Sequence, residues 1–351
     1  MADRNTYIVT GGAGFVGSNL VAEIMKRDAD AHVVVVDSFR SGSFANIVEA
    51  CERKGVGPFA GQVVAESSCA LPWDDILAGY DKPKAIFHLG AITDTTVLDE
   101  PLMLRENVEG FEDLLNACAP VTDFKDATPL VYASSAATYG TLPQTKQKKP
   151  FPLSAAGKPN NVYGFSKWLM ECEHRRFMAD YPGAHVVGLR YFNVFGPGES
   201  HKGKMASMVY QLATQLLEGK TPRLFKDGSQ ARDQVYVDDV VDCTLHASGV
   251  DTLRGKKGQG GKSGGGLKPG IYNLGSGVAT SFNDILDAIR SALKIKAGKQ
   301  ATEYFDMPAS VREFYQDFTQ ADMSETRKGL GWEPGHEPKK AIAEYAAWLR
   351  G

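Results

Sequence analysis

A tyrosine and a lysine four residues apart, Tyr163 and Lys167, are the side chains whose types and spacing most suggest catalysis. On a helix this spacing places both side chains on one face. A nearby ammonium favours the phenolate, so we expect Lys167 to lower the pKa of Tyr163 from its usual value of about 10. A tyrosine tuned in this way can donate or accept a proton. An ordinary amphipathic helix has the same pattern, so the pair needs support from the rest of the chain.

A glycine-rich turn lies near the start of the chain. It follows a short apolar strand predicted at 7–10 and precedes an amphipathic helix predicted from about 18 to 27. Residues 11–17, GGAGFVG, fit both G-x-G-x-x-G and G-x-x-G-x-x-G. Such a turn lets a pyrophosphate approach the backbone at the start of a helix. A second predicted strand, 32–37, ends at Asp37, where a carboxylate can accept hydrogen bonds from an adenosine ribose. The order of these elements predicts a dinucleotide site.

The residues after the second strand leave the choice of dinucleotide open. Asp37 would repel a 2′-phosphate and favours NAD. Ser38 and Arg40 follow it and could pair with that phosphate, which would admit NADP.

Further strands are predicted at 62–65, 84–91, 130–140 and 186–193, alternating with helices that include one opened by Asn107. This alternation predicts an α/β fold with a doubly wound parallel (Rossmann) sheet and a smaller α/β substrate-binding domain. We assign 1–192 plus about 233–275 to the NAD(P)-binding domain, and about 193–232 plus 276–351 to the substrate domain. Residues 255–270, rich in Gly and Lys, are predicted to be a flexible insertion.

The ends of two predicted strands carry candidate binding residues. Small residues at Gly90 and Ala91, after Leu89, would let a cofactor cross the strand end. The fifth predicted strand ends in small hydroxyl residues, where open parallel sheets place their ligands, and Ser135 or Thr138 could hydrogen-bond a substrate hydroxyl. Asn107 could cap its helix or reach the cofactor.

The composition limits the classes of protein to which the chain can belong. With 351 residues, 43% hydrophobic, the chain can build a sizeable core. A net charge of -3 gives no reason to expect nucleic acid or an acidic membrane surface as a partner. Five dispersed cysteines lack metal-ligand spacing and suit a reducing compartment, so we expect no metal site. We see no signal peptide and no apolar run of about 20 residues, so we expect a cytoplasmic protein.

Several segments together resemble the extended short-chain dehydrogenase/reductase superfamily, and within it the ADP-L-glycero-D-manno-heptose 6-epimerases. They are TGGAGFVGSN (10–19), YASSAATYG (132–140), NVYGFSK (161–167), RYFNVFGP (190–197), HKGKMAS (201–207) and FTQAD (318–322). The first and third segments are shared by many nucleotide-sugar epimerases and dehydratases. The segment that begins at His201 is much narrower and points to the heptose enzymes.

The resemblance implies a role for four catalytic residues. Tyr163 would be one acid/base, Lys167 would lower its pKa and hold the nicotinamide ribose, and Ser135 would hold the reacting hydroxyl. Lys202 would be the second acid/base. Inversion at C6 would pass through a transient 6-aldehyde whose carbonyl turns over before hydride returns, so proton transfers are needed on both faces.

The resemblance also implies the binding residues and the assembly. The family typically uses NADP and forms homo-oligomers. The implied cofactor-binding residues are Gly11, Gly14, Phe15, Val16, Gly17, Asp37, Ser38, Arg40, Leu89, Gly90, Ala91, Asn107, Tyr163 and Lys167. The implied substrate-binding residues are Ser135, Asn193, Lys202, Lys204, Gln211, Phe225, Ser229, Arg232 and Tyr315. Two of these depart from the family pattern, because Lys204 replaces a small hydroxyl residue and Gln211 replaces a histidine.

Two other functions remain open. One is a different nucleotide-sugar enzyme of the superfamily, such as a UDP-hexose 4-epimerase or a 4,6-dehydratase. Dehydratases commonly have acids beside the active-site Ser or Thr, and Ala136 and Ala137 provide none. The other is an inactive cofactor-sensing protein, which the intact set of Ser135, Tyr163 and Lys167 disfavours.

Overall fold

Buried β-branched and aliphatic residues form the strands of the larger sheet. The computed structural model describes residues 5–80, 82–119, 127–142, 148–254, 267–296, 300–306 and 315–351. In the first part, strands and helices alternate: β1 (Asn5–Thr10), α1 (Phe15–Arg27), β2 (Ala31–Val36), α2 (Phe44–Lys54), β3 (Gln62–Val64), α3 (Trp73–Ala78), β4 (Ala85–His88), α4 (Glu100–Leu104), α5 (Gly110–Ala117), β5 (Leu130–Ser135), α6 (Val162–Asp180) and β6 (Val186–Tyr191).

Seven strands form one parallel sheet in the order β10-β6-β5-β4-β1-β2-β3, where β10 is Gly270–Leu274. Alternate side chains along β1 and β2 enter two different cores. Val9 and Val35 pack with α1, whereas Ile8 and Val34 belong to the core that includes residues of α5 and α6. Helices therefore cover both faces, which confirms the predicted doubly wound fold.

The rest of the chain forms two small sheets and a helical layer. The elements are β7 (Asn193–Phe195), α7 (Met208–Leu217), β8 (Arg223–Phe225), β9 (Ala231–Tyr236), α8 (Val237–Ala247), β11 (Ala279–Ser281), α9 (Phe282–Leu293), β12 (Glu303–Phe305), α10 (Ser324–Leu330) and α11 (Pro338–Arg350). The small sheets have the orders β11-β9-β7 and β12-β8. A third core joins α7, α9 and α11. No helix in the described parts of the chain is long and apolar enough to cross a membrane.

The larger core also draws on later segments of the chain. It includes Val240 of α8, Leu274 of β10 and, further on, Phe318, Leu330 and Trp332. The predicted substrate domain began again at residue 276, so residues 318–332 pack across that boundary. The division into domains stays a prediction. Most of the predicted insertion, residues 255–266, lies outside the described residues.

The two predicted elements that differ most from the structure are the helix at Asn107 and the fifth strand. Asn107 does not open a helix, because α4 already starts at Glu100, capped by Asp99, and continues into α5 through a π-helical turn at Arg105–Glu109. The fifth strand ends at Ser135, five residues earlier than predicted, where the Ser135 hydroxyl accepts a hydrogen bond from the Ala137 amide and starts a 3-10 turn at Ala136–Tyr139.

Candidate active site

A cleft of about 1140 Å³ runs along the carboxyl edge of the larger sheet and is closed on one side by the smaller sheets. Most of the residues singled out in the sequence line it. These are Gly11, Gly14, Phe15, Val16, Gly17, Asp37, Ser38, Arg40, Leu89, Gly90, Ala91, Ser135, Tyr163, Lys167, Asn193, Lys202, Gln211, Phe225, Arg232 and Tyr315. Asn107, Lys204 and Ser229 do not line it.

The glycine turn fits the pyrophosphate of a dinucleotide. Gly11 has a φ of +67°, and a Cβ there would lie 2.7 Å from the Gly90 amide nitrogen. A Cβ on Gly17 would lie only 2.0 Å from the Gly11 carbonyl oxygen. No side chain caps α1, so its first amide groups remain available to an anion. The turn is therefore tight because Gly11 and Gly17 have no side chains, and the first amide groups of α1 lie beside the cleft.

Asp37 ties the second strand to this turn. One carboxylate oxygen accepts a hydrogen bond from the Ala13 amide at 2.9 Å, and the other accepts one from the Phe39 amide at 2.8 Å. The side chains of Ser38 and Arg40 lie exposed at the same end of the cleft. The carboxylate that favours NAD and the two side chains that could bind the 2′-phosphate of NADP therefore lie at the same end of the cleft.

Helix α6 carries Tyr163 and Lys167 into the cleft. Asn161 caps it, accepting a hydrogen bond from the Gly164 amide at 2.7 Å. The Lys167 ammonium donates to the Ala133 carbonyl at 2.9 Å, and its burial lowers the pKa of Lys167 to about 7. The predicted fall in the pKa of Tyr163 is wrong. Burial raises the pKa of Tyr163, which the Ser135 hydroxyl only partly offsets, because desolvation disfavours the phenolate and the ammonium is directed at Ala133.

Lys202 enters the cleft from the smaller part of the chain. It lies on the 3-10 turn Ser200–Met205, and its Nζ is 5.4 Å from the centre of the Phe15 ring. Burial lowers the pKa of Lys202, which the Glu199 carboxylate opposes. A lysine held in this way can exchange a proton more readily than a solvated one. The cleft therefore contains two proton-transfer candidates from different elements, Tyr163 and Lys202.

An aromatic and cationic wall lies at the other end of the cleft. The guanidinium of Arg232 lies 5.0 Å from the Tyr315 ring centre and donates to Gln316. Phe225 has its ring centre 4.8 Å from that of Phe305 and 5.8 Å from that of Tyr315. Cations suit a diphosphate, and aromatic faces suit a nucleobase.

Sequence reasoning missed several residues of this wall. Arg223 and Phe305 line the cleft, and the Arg223 guanidinium lies 4.5 Å from the Phe305 ring centre. They meet because β8 pairs with β12, which lies about eighty residues further along the chain. No local pattern could have indicated this pairing. Gln215 and Gln234 also line the cleft, and their Oε1 atoms are buried without a hydrogen-bond partner among the described residues.

Three predicted residues have other surroundings. Asn107 is fully buried, where its Oδ1 accepts from the Ile92 amide and its Nδ2 donates to the Ile92 carbonyl and the Ser166 hydroxyl. It supports the elements beside the cofactor site instead of lining it. Lys204 and Ser229 are exposed, and Ser229 lies in a turn where its amide donates to Asp227.

Comparisons with known proteins agree with this geometry. The chain matches the model of the NAD dependent epimerase/dehydratase family over residues 7–258. It is similar to the structure of ADP-L-glycero-D-manno-heptose-6-epimerase from Helicobacter pylori, with 31% identity, a TM-score of 0.79, and coverage of 99% of this chain and 97% of that chain.

Two 4-epimerases share the fold. UDP-N-acetylglucosamine 4-epimerase from Methanobrevibacter ruminantium M1 is 24% identical, with a TM-score of 0.78 and 99% of each chain covered. UDP-glucose 4-epimerase from Thermotoga maritima is 24% identical, with a TM-score of 0.76 and 98% of each chain covered. The resemblance to the epimerases of the extended short-chain dehydrogenase/reductase superfamily is thus confirmed, and the chain belongs to the NAD dependent epimerase/dehydratase family.

Proposed function

We propose that this protein is a nucleotide-sugar epimerase that inverts C6 of ADP-glycero-D-manno-heptose by transient oxidation and re-reduction. The observation that carries the proposal is the convergence of Ser135, Tyr163 and Lys167 in one cleft with the glycine turn, while Lys202 enters from a separate element. The likeness to the Helicobacter pylori enzyme over nearly both full chains supports the choice of heptose. The product would serve lipopolysaccharide core synthesis.

The chain's own residues would handle the protons and the substrate. A bound nicotinamide supplies the acceptor that takes hydride from the sugar and gives it back. Ser135, whose hydroxyl faces Tyr163, would hold the reacting hydroxyl, and Tyr163 would accept its proton as hydride leaves C6. After the carbonyl has turned over, Lys202 would donate a proton to its oxygen as hydride returns to the other face. Arg232 would hold the diphosphate, beside Tyr315 and Phe225.

The next proposals concern the cofactor and the assembly of the protein. Gly11, Gly14 and Gly17 would hold the pyrophosphate, and Lys167 would hold the nicotinamide ribose. The family resemblance favours NADP, whereas Asp37 favours NAD, and Arg40, which lines the cleft, would decide between them by pairing with a 2′-phosphate. We propose a homo-oligomer in the cytoplasm that acts on a nucleotide sugar and binds neither nucleic acid nor membrane.

A UDP-hexose 4-epimerase is the second candidate. It is favoured by Gln211, which lines the cleft where the heptose enzymes have a histidine. The Gln211 Nε2 donates to the carbonyls of Ala206 and Lys204, so this side chain shapes the pocket wall differently from an imidazole. A change of this kind alters which sugar fits while the proton-transfer residues stay in place.

A direct assay separates the two candidates. The protein is incubated with ADP-D-glycero-D-manno-heptose and either NADP or NAD, and the products are separated by chromatography. We expect the L-glycero epimer. No conversion of the heptose, together with turnover of a UDP-hexose, would replace the first proposal with the second.

A further inference from the structure

A buried carboxylate lies on the catalytic helix, one turn beyond Lys167. Glu171 is fully buried on α6, on the same face as Tyr163 and Lys167. Its two oxygens accept hydrogen bonds from Nε and Nη2 of Arg190, both at 2.7 Å, and Arg190 is itself 2% exposed. This is a two-pronged carboxylate–guanidinium contact, the most directional ion pair that side chains form. The proposed reaction does not use either group.

The same carboxylate is also bound to the catalytic strand. Glu171 Oε1 accepts a hydrogen bond from the Ser134 hydroxyl at 2.7 Å. Ser134 and Arg190 are directly paired across β5 and β6. Glu171 therefore contacts two adjacent strands at a single register position, and Ser134 immediately precedes Ser135 in the chain.

Three successive residues of β5 thus meet three successive turns of α6. Ser135 contacts Tyr163, the Ala133 carbonyl accepts from Lys167, and Ser134 donates to Glu171. A sliding or rotation of α6 on the sheet would break all three contacts together. Of the three, the contact of Glu171 is also held from a second strand, because Arg190 lies on β6. Arg190 is itself fixed by donating to the Tyr139 hydroxyl and the Leu153 carbonyl.

Stability alone is a poor reason for this pair. Two charges removed from water recover their desolvation cost only in part, and apolar side chains of similar volume are often no less stabilising. A two-pronged pair does fix distance and angle, which apolar packing does not. Arg175, a second cation on Glu171, is nearly half exposed and adds little to that geometry.

We propose that Glu171, held by Arg190, is a positioning residue that fixes α6 against β5 at the register where Tyr163 meets Ser135 and Lys167 meets Ala133. This inference rests on the proposed function for its kinetic readout only. Its structural readout, the contact between Tyr163 and Ser135, does not depend on which sugar is the substrate.

The main test replaces both partners by an apolar side chain of similar length, in Glu171→Met combined with Arg190→Met. No unpaired charge is left behind, although the Ser134 hydroxyl and the Leu153 carbonyl each lose a partner, so we expect the melting temperature to fall by only a few degrees. We expect kcat to fall roughly tenfold to a hundredfold, the scale for a reacting group displaced by about 1 Å. KM should change much less. The rate is measured with whichever nucleotide sugar the wild-type protein turns over. A wrong assignment of the substrate would therefore show in the wild type, before any variant is tested.

A matched control comes from the next turn of the same helix. His174 is buried, and its Nδ1 lies 3.1 Å from the hydroxyl of Tyr132 on β5. His174→Leu should lower the melting temperature and leave kcat unchanged. An equal loss of kcat in His174→Leu would mean that any loosening of α6 slows the enzyme, and would overturn the proposal.

Two further results complete the test. Arg190→Lys keeps the charge but cannot make the two-pronged contact of a guanidinium, so we expect its kcat to fall as well. A kcat at the wild-type value would show that the two-pronged geometry of the pair is not needed for catalysis. In a crystal structure of the double variant we expect Tyr163 to have left hydrogen-bond distance of Ser135. A structure in which that contact is kept would overturn the proposal whatever the rate.

Discussion

Burial sets the charge of the two residues at the centre of the cleft. It lowers the pKa of Lys167 to about 7 and raises that of Tyr163. Near neutral pH the pair therefore holds at most one charge, a neutral phenol beside a partly protonated amine. Tyr163 in this state is ready to donate a proton, and it becomes a base only when a positive partner joins it.

Tyr163→Phe removes the proposed acid/base and keeps the ring. We expect kcat to fall by about 10²–10⁴-fold, the usual contribution of a positioned proton-transfer group. Binding of NADPH or NADH, measured by fluorescence, should remain. Tyr272→Phe is the control, because that hydroxyl is bonded to the Lys268 carbonyl away from the cleft. Turnover at the wild-type rate in Tyr163→Phe would contradict the proposed role.

Lys167 should also govern stability in alkali. Its pKa is about 7 in the folded state and near 10.5 when unfolded, so between these values the unfolded chain holds a proton that the folded chain has released. Its contribution to the free energy of unfolding therefore rises with pH over that window. Above pH 10 the raised pKa of Tyr163 acts in the opposite direction.

Urea unfolding at about pH 7 and about pH 9 measures this effect. We expect the stability of the wild type relative to Lys167→Met to increase with pH, since the variant lacks the group. The exposed Lys204→Met is the control and should follow the wild type. A difference that does not change with pH would show that Lys167 does not release its proton in the folded state.

Arg40→Ala tests which dinucleotide the protein prefers. An exposed guanidinium at the cofactor end of the cleft can pair with a 2′-phosphate, a contact whose loss costs about 1.5–3 kcal/mol, or roughly tenfold to a hundredfold in affinity. We expect the Kd of NADPH to rise by that factor and the Kd of NADH to stay the same. Arg223→Ala, at the far end of the cleft, should change neither. An unchanged ratio of the two affinities would remove Arg40 from the account.

Single residues show what the sequence could indicate about the site. Spacing and motif were enough to predict that Tyr163 and Lys167 lie together in the cleft, because the i,i+4 geometry of a helix is local. Their charge states were not predictable, since desolvation depends on everything packed around them. Lys204 and Ser229 fall on substrate-binding positions of the family but lie exposed outside the cleft. Phe305 was missed because its neighbours come from distant strands.

At the scale of elements, the glycine turn and α1 form one rigid unit. Gly17→Ala tests it, because the added Cβ would lie 2.0 Å from the Gly11 carbonyl oxygen, which is backbone and cannot swing away. We expect the free energy of unfolding to fall by about 1–3 kcal/mol, typical of overpacking, and cofactor affinity to fall at least tenfold.

The control for the glycine turn is Gly79→Ala, at the end of α3. A Cβ there would lie 3.3 Å from the nearest carbonyl oxygen, at a φ of -72° that any residue adopts. It should retain cofactor binding. If Gly17→Ala bound cofactor as well as Gly79→Ala does, the turn would not be the pyrophosphate site.

Elements with a strong local signal were predicted and others were not. Ser281 is a typical N-cap residue, and at the start of α9 its hydroxyl accepts a hydrogen bond from the Asp284 amide. The helix through Asn107 was misjudged because its first turn, capped by Asp99, carries Pro101 and lacks a clear apolar period. The 3-10 turn after β5 begins where the Ser135 hydroxyl accepts a hydrogen bond from the Ala137 amide, an arrangement that competes closely with extending the strand.

At the scale of the whole molecule, the fold places the chemistry where two parts of the chain meet. The parallel sheet supplies the glycine turn, Ser135 and α6 along one edge, as open α/β sheets do. The 3-10 turn Ser200–Met205 brings Lys202 to the same cleft, and the smaller sheets bring Arg232, Phe225 and Phe305. The alternation of strands and helices predicted the first part, whereas the pairing of β8 with β12 and the packing of residues 318–332 on the larger core depend on contacts between distant segments.

In the proposed reaction, C6 of the sugar gives up its hydrogen and receives the same hydrogen back on the other face. The most direct measurement uses ADP-D-glycero-D-manno-heptose deuterated at C6, incubated with the protein in ordinary water and analysed by NMR. The account predicts the L-glycero epimer with deuterium retained at C6. Absence of the epimer, or an epimer whose C6 hydrogen comes from the solvent, would contradict it.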